Sequence, residues 1–240
     1  MTEPLYQTEA YLRTFDAVVT AVDTEQKAVT LDRTAFFPGG GGQPCDTGLL
    51  RFNGQILRVE RVERGHQHII SSENLPAVGE RVVGEIDWVR RYQLMRTHTA
   101  MHILCGVVWR DYGASVTGGN MEPLKGRMDF EFERLQKELV QEIEASINAE
   151  MLAGHEVIVQ ILPREEAFQI PDLIRTKINL LPPGITEVRT VEIVGLDLQA
   201  DGGTHVANTR EVGPVRIVDY KSKGGINKRI YVELAESETR

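Results

Sequence analysis

The sequence predicts an α+β protein. It would consist of a small N-terminal β-barrel with a glycine-rich loop at residues 1–88, followed at residues 89–240 by a domain of helices packed on an antiparallel sheet. Three observations predict this architecture. Short segments with alternating apolar residues, separated by turn residues, fill the first part of the chain. Helical spacing begins at Trp88, and the remainder alternates between helical and extended patterns.

The barrel is predicted from six short strands rich in β-branched residues. The first two, FDAVVTAVD and KAVTLDRTAFF, occupy residues 14–36, and a glycine-rich loop follows at 38–44. The other strands are expected at 48–53, 55–62, 66–70 and 81–86. So many short strands favour closure into a barrel, because closure leaves no unpaired strand edge.

The second domain is predicted from two amphipathic helices and five strands. The first helix is expected over Trp88–Tyr112, and Gly113 would end it. Its apolar residues recur at three- and four-residue steps: Leu94, Met101, Leu104 and Val108. A second helix is expected at 133–152, and strands are expected at 127–132, 156–162, 186–194, 214–220 and 229–234.

Composition limits the class of protein. With 240 residues, 41% of them hydrophobic and 26% charged, the chain can build a real core, and its net charge of -8 argues against non-specific DNA coating. Two cysteines suit a reducing cytosol. No signal-peptide pattern is present, and no apolar run reaches the roughly 18 residues of a membrane span. We therefore expect a cytoplasmic protein with no membrane or DNA partner, while a local basic patch would still permit RNA binding.

The spacing of the histidines predicts a metal site. His98 and His102 lie four residues apart in the first helix, so both imidazoles can reach one ion. Asp201 and His205 lie in a glycine-containing loop and can supply an oxygen and a nitrogen ligand. Three histidines with one open position are typical of catalytic zinc, and Asp201 would be a fourth ligand or would hold water. Thr99 stands where H-E-x-x-H peptidases carry glutamate, which excludes that class.

Two motifs carry a resemblance to a known family. HTAMH at 98–102 and DGGTH at 201–205 resemble the HxxxH and CxxxH pair of alanyl-tRNA synthetase editing domains and their free-standing AlaX relatives. LDRTAFFPGGGGQPCDTG at 31–48 and LPREEA at 162–167 look like the same family, and the resemblance covers nearly the whole chain. The barrel with its glycine-rich loop is similar to the medium-length AlaX type. The chain is too short for a synthetase, so it resembles the editor without the ligase.

The resemblance implies a hydrolase that acts on the acceptor end of mischarged alanine tRNA. Its substrates would be Ser-tRNA(Ala) and, as a further candidate, Gly-tRNA(Ala), and it would hold one Zn²⁺ per chain. Asp201 replaces the usual cysteine, so coordination by three histidines and water remains an alternative. Cys105 is either a further ligand or a buried core residue. Two other functions remain open: a tRNA-binding module with structural zinc, and a zinc hydrolase of small esters.

The resemblance also indicates substrate-binding residues. Thr117 falls about where the family has a serine-sensing threonine, although a threonine in a turn is the other interpretation. The glycine-rich loop would approach the editing pocket, or it is simply a barrel loop. It lacks the Lys-Ser/Thr of a P-loop, so we expect no ATP. The expected contacts of this segment are Thr34, Gly40, Gly41, Gly42 and Gln43.

Basic residues in two parts of the chain predict contacts with tRNA phosphates, whose strength would depend on salt. An ordinary solvated surface is the alternative interpretation. The residues are Arg90, Arg91 and Arg96 around the first helix, and Lys221, Lys223, Lys228 and Arg229 near the C-terminus.

Overall fold

The computed structural model of the chain describes residues 2–133, 135–174 and 184–236. The chain divides into two compact units, Met1–Gln93 and Leu94–Arg240. A closed barrel in the first unit and helices with antiparallel sheets in the second confirm the predicted α+β class. The division falls inside the helix that begins at Trp88, so a domain boundary between residues 88 and 89 stays a proposal.

The first unit is built around a barrel of six antiparallel strands. Within the described residues its strands are β1 (Glu3–Pro4), β2 (Thr14–Asp23), β3 (Ala28–Leu31), β4 (Arg33–Thr34), β5 (Gly48–Phe52), β6 (Gln55–Glu63), β7 (Gln67–Ile70) and β8 (Arg81–Ile86). The barrel closes in the order β2-β3-β7-β6-β5-β8, while β1 pairs in parallel with β4. A short 3-10 helix at Leu5–Gln7 follows β1. All six predicted barrel strands are present.

The barrel interior is apolar because successive side chains of a strand point to opposite faces. The innermost aliphatic residues are almost completely buried: Val19, Leu31, Leu50, Val59 and Ile70. Phe15 and Phe36 meet edge to face with their ring centroids 5.8 Å apart. This core explains why the alternating pattern of the first 86 residues folds as a closed sheet.

The glycine-rich loop forms a tight hairpin turn. The N–H of Gly40 donates to the Gln43 carbonyl at 3.0 Å, and the N–H of Gln43 donates to the Gly40 carbonyl at 2.9 Å. The two residues between them, Gly41 and Gly42, have φ values of 57° and 88°. Two consecutive positive φ angles are what a primed hairpin turn requires, and glycine adopts them without steric cost. Turn geometry alone therefore accounts for the glycines at these two positions.

The second unit combines helices with two antiparallel sheets. The helix α1 (Trp88–Tyr112) continues into it from the first unit. Its other described elements are β9 (Val116–Glu122), β10 (Lys125–Glu131), α2 (Lys137–Ala153), β11 (Val157–Pro163), α3 (Arg164–Ala167), β12 (Glu187–Ile193), β13 (Asp197–Ala200), a 3-10 helix at Thr209–Val212, β14 (Val215–Ser222) and β15 (Asn227–Leu234). One sheet has the order β14-β15-β10-β9, and the other has the order β11-β12-β13.

The second-unit part of α1 is a core element. Every residue from Leu94 to Val108 is buried, which confirms the predicted helix and places its polar side chains inside the protein. Thr97 accepts the N–H of Leu124 at 2.9 Å, and thereby joins the helix to the turn between β9 and β10. Buried polar groups cost free energy unless they are hydrogen-bonded. The polar side chains buried on α1 therefore indicate a candidate functional site. Among the helices in the described ranges, none combines the length and the hydrophobicity that a membrane-spanning helix requires.

One predicted boundary was wrong, and two strands were not predicted. The second helix begins at Lys137 rather than at residue 133, and the preceding Gln136 provides no side-chain cap. The strand β9 was not predicted because its Gly118 and Gly119 are typical of turns, and the four-residue strand β13 was not predicted either. Pairing with residues 125–130 of β10 supplies the hydrogen bonds that hold this glycine-containing segment extended.

Candidate metal centre

Four side chains from distant parts of the second unit form one cluster. α1 contributes His98 and His102, and the loop after β13 contributes Asp201 and His205. One ligand atom from each of the four lies within 4.8 Å of all the others. The three histidines are buried and Asp201 is nearly so. The structure therefore brings together all four residues for which the sequence predicts metal binding, and they could hold a metal ion.

The carboxylate of Asp201 joins two of the imidazoles. Its Oδ1 lies 3.5 Å from Nε2 of His98, and its Oδ2 lies 3.1 Å from Nε2 of His205. The rings of His98 and His205 are stacked, with centroids 4.2 Å apart, and His102 meets both edge to face. Ligand atoms of a tetrahedral zinc ion with bonds near 2.0 Å are separated by about 3.3 Å. The two measured separations lie on either side of that value, and all four ligand atoms lie within 4.8 Å of one another, so these side chains are close enough to hold such an ion.

The environment shifts the protonation of three of the four residues, His98, Asp201 and His205, toward the form that metals bind. Burial lowers the pKa of His205 to about 4 and lowers the pKa of His98 well below its ordinary value. Burial alone would raise the pKa of Asp201, but His98 and His205 outweigh it and bring this pKa well below its ordinary value. Two neutral imidazoles beside an ionised carboxylate are the state that metal coordination requires.

His102 differs from the other two histidines in the sign of its shift. Burial opposes its protonation, but the hydrogen bond to Asp197 and the charge of Asp201 together raise its pKa above the ordinary value. Nδ1 of His102 lies 3.2 Å from Oδ2 of Asp197. The carboxylate of Asp197, which belongs to no predicted motif, therefore orients the ring of His102 through Nδ1.

Hydrogen bonds also fix the loop that carries Asp201. The N–H of Gly203 donates to its Oδ2 at 2.7 Å, and Arg189 donates to its carbonyl oxygen at 2.9 Å. Thr99 contacts Nδ1 of His205 at 3.1 Å, and its hydroxyl accepts the N–H of Val206 at 3.2 Å. These contacts hold the carboxylate and the imidazole toward the cluster, as outer partners of metal ligands do.

Sequence reasoning missed three residues around the cluster. Thr99 lies between the two helix histidines and was considered only as the residue that excludes a peptidase. Arg189 and Asp197 lie on β12 and β13, and neither stands in a recognisable motif. Cys105 is buried and lies outside the cluster formed by the described residues, so the structure favours a core role over a ligand role.

The predicted substrate contacts differ in their surroundings. Thr117 is exposed on β9, and its hydroxyl donates to Oδ1 of Asn227 at 2.8 Å. Thr34 is fully buried, and its hydroxyl hydrogen-bonds to His68 at 2.8 Å while accepting the N–H of Phe36. This hydroxyl lies inside the barrel, so a contact between Thr34 and substrate stays a prediction that the burial of Thr34 does not support. Gln43 is also buried.

Two arginines that were predicted to bind RNA are structural. Arg91 is 0% exposed and pairs with the buried carboxylate of Asp46. Arg96 is 2% exposed, and its guanidinium donates to the carbonyl oxygens of Val212 and Ala235, each at 2.8 Å from Nη2. Neither guanidinium reaches solvent, so both predictions were wrong. An amphipathic pattern does not reveal which arginines a tertiary core encloses.

The other residues that were predicted to contact RNA differ in how far they are exposed to solvent. Lys228 is buried on the same strand face as the core residue Ile230, and its ammonium donates to the Gly225 carbonyl, so this prediction was also wrong. Lys221 and Lys223 are exposed. The remaining two are half-buried: Arg229, which forms two hydrogen bonds with Asp129, and Arg90, which donates to the Cys45 carbonyl.

Two family models and several curated proteins match this chain. Residues 188–231 match the model of the threonyl and alanyl tRNA synthetase second additional domain, and residues 5–90 match the class II (A) tRNA synthetases. The chain is 40% identical to the alanyl-tRNA editing protein AlaX-M of Saccharolobus solfataricus, over 96% of this chain and 98% of that protein.

A second editing protein and an alanine--tRNA ligase are also similar to this chain. AlaX-M of Methanosarcina acetivorans is 38% identical, over 98% of this chain and 100% of that protein. The alanine--tRNA ligase of Pyrobaculum calidifontis is 37% identical over 90% of this chain, which covers 25% of the ligase. The similarity to the editing proteins is thus nearly end to end, whereas only a quarter of the ligase is matched. The chain belongs to the AlaX-M family of alanyl-tRNA editing proteins.

Proposed function

We propose that this chain is a zinc-dependent aminoacyl-tRNA deacylase that removes serine, and as a second substrate glycine, from mischarged alanine tRNA. The observation that carries the proposal is the buried cluster of three histidines and Asp201 in a chain of this family. One zinc ion per chain would be held by His98, His102 and His205, and Asp201 would either be a fourth donor or hold water at an open fourth position. Zinc held there would supply Lewis acidity, which would polarise a carbonyl oxygen or lower the pKa of water.

The reaction is the hydrolysis of one ester bond. Water adds to the carbonyl carbon of the aminoacyl group, the bond to the ribose oxygen of the terminal adenosine breaks, and that oxygen takes up a proton. The products are a free amino acid and uncharged tRNA. The residues of this chain contribute position and electrostatics, because Arg189 and Gly203 hold Asp201 while Thr99 holds His205.

Selectivity for serine over alanine follows from how hydroxyl groups are recognised. A pocket built for alanine rejects serine only about 100-fold, because the pocket need only tolerate one more oxygen. An editing site that requires the hydroxyl discriminates far more strongly, since its own polar group stays unpaired when alanine binds. We propose Thr117 for this role. Its hydroxyl donates to Asn227 and so keeps lone pairs that can accept the serine hydroxyl.

The acceptor end of the tRNA is the proposed macromolecular partner, in the cytoplasm. Exposed Lys221 and Lys223, with half-buried Arg229, are the proposed phosphate contacts, and Arg90 remains a further candidate. The exposed glycines of the hairpin turn, Gly40 and Gly41, and the adjoining Gly42 stay proposed substrate contacts. No role for ATP or DNA is proposed.

The direct test measures release of labelled amino acid from alanine tRNA charged with serine, glycine or alanine, with and without a chelator. We expect rapid loss of serine that depends on the metal and spares alanine. Release of serine from a small ester but not from tRNA would favour the simpler zinc hydrolase. Four protein ligands close a tetrahedral zinc site, so tRNA binding without any deacylation would favour a module with structural zinc.

The substitution Thr117→Val tests the proposed serine sensor. It should lower the preference for Ser-tRNA(Ala) over Ala-tRNA(Ala) by about 10-fold, because loss of one hydrogen bond costs about 1 to 2 kcal/mol. The two deacylation rates of the variant and of the wild type give this ratio. Thr186→Val is the matched control, since Thr186 is exposed in the same unit. An unchanged ratio in Thr117→Val would remove Thr117 from the mechanism.

A further inference from the structure

Behind His102 lies a carboxylate that the metal site itself does not use. Asp197 is 4% exposed, and its Oδ2 lies 3.2 Å from Nδ1 of His102, on the opposite side of the ring from Nε2. A second donor holds the same oxygen, because Nε2 of Gln199 donates to it at 2.6 Å. A buried carboxylate is costly unless it has such partners, so the contacts with His102 and Gln199 stabilise Asp197 at this position.

The backbone around Asp197 is shaped to bring this carboxylate to the helix. The N–H of Leu196 donates to the Ile193 carbonyl at 2.9 Å in the turn between β12 and β13, and Asp197 begins β13. On α1, Gly106 stands one turn after His102 and faces this turn. A Cβ atom at Gly106 would lie 3.0 Å from Cβ of Asp197 and 3.0 Å from Cγ of Leu196. The absence of a side chain at Gly106 therefore allows the close approach.

The hydrogen bond determines which nitrogen of His102 carries the proton. A carboxylate accepts hydrogen bonds, so the proton of the neutral imidazole lies on Nδ1 and the lone pair lies on Nε2. Nε2 is the nitrogen left free for the cluster formed with His98, Asp201 and His205. An imidazole backed by a carboxylate is also a stronger donor to a metal ion.

We propose that Asp197, supported by Gln199 and admitted by Gly106, is a positioning residue of the metal centre that fixes the tautomer and orientation of His102. This inference rests on the proposed function, since it assumes that the cluster holds zinc. It assigns a role to three residues outside both histidine motifs. It also explains why a glycine occurs within a buried stretch of α1, where glycine lowers helix stability by about 1 kcal/mol relative to alanine.

The experiment measures zinc affinity separately from activity, by competition with a chromogenic chelator. Asp197→Asn keeps the shape of the side chain and removes its charge, and we expect a loss of zinc affinity of about 10- to 100-fold. Gly106→Ala leaves the carboxylate intact and displaces it, so the affinity should fall in the same direction by a smaller factor. Asp111→Asn is the matched control, because Asp111 pairs with Arg110 away from the cluster.

A spectroscopic readout on the wild-type protein makes the test independent of whether the variants fold. The nitrogen chemical shifts of His102 in the zinc-loaded protein should show a protonated Nδ1, and Asp197→Asn should alter the Nδ1 signal. A protonated Nε2 in the wild type, or full zinc affinity in folded Asp197→Asn, would overturn the inference while leaving the proposed deacylase intact. Wild-type protein that deacylates Ser-tRNA(Ala) without binding zinc would overturn the inference together with the metal part of the proposed function.

Discussion

Replacing His98 with alanine is expected to abolish stoichiometric zinc binding and to lower deacylation of Ser-tRNA(Ala) by at least about 100-fold, because a metal ion contributes several kcal/mol of transition-state stabilisation. His98 lies in the fully buried part of α1, and its Nε2 is 3.5 Å from Asp201. Without it, the ion would lose one of its protein donors, and Asp201 would lose its neighbouring imidazole.

Metal content and deacylation rate are measured on the same preparation, so loss of the ion and loss of activity can be compared. His155→Ala is the matched control. His155 lies in the same unit, and its Nε2 is 2.7 Å from Glu150, outside the cluster. Chelation of the wild type should reproduce the effect of His98→Ala, and added zinc should restore only the wild type. Full deacylation by zinc-free protein, or by His98→Ala, would exclude a catalytic role for the metal.

Replacing Arg91 with alanine is expected to destabilise the barrel unit by about 3 to 5 kcal/mol, the cost of leaving one partner of a buried ion pair alone. The guanidinium binds both carboxylate oxygens of Asp46 and donates to the Ala10 carbonyl at 2.9 Å and to the Ala35 carbonyl. The same carboxylate accepts the N–H of Phe37 at 2.6 Å. Removing one member therefore leaves several buried polar groups without partners.

Denaturant unfolding measures this change in the free energy of unfolding. Hydrogen exchange of the barrel strands then shows that the change occurs in the barrel unit. Arg51→Ala is the control, because Arg51 pairs with Glu85 at the surface, where such pairs contribute about 1 kcal/mol or less. The double variant Arg91→Met with Asp46→Leu should be more stable than either single variant, since no charge remains buried. A stable Arg91→Ala protein with weakened tRNA affinity would instead restore Arg91 to the RNA-binding surface.

Much of the fold could be predicted because it depends on local patterns. Alternation of apolar residues located the six barrel strands, and helical spacing located α1 at its observed bounds, Trp88–Tyr112. The strand β9 was not predicted because its glycines are unfavourable in a strand when considered alone. Its pairing with β10 outweighs that preference, and pairing between segments is not a property of either segment.

The sequence by itself determined which residue types could bind a metal, because four-residue spacing on a helix places His98 and His102 on one face. It also carried the motifs that resemble the alanyl-tRNA editing family. Only the tertiary structure decided that these histidines meet Asp201 and His205, and that Asp197 lies behind one of them. Only the tertiary structure decided which arginine is buried, since Arg91 is enclosed while the neighbouring Arg90 is half-buried. The physical reason is that burial and hydrogen-bond partners come from segments far apart in the chain, so no local pattern specifies them.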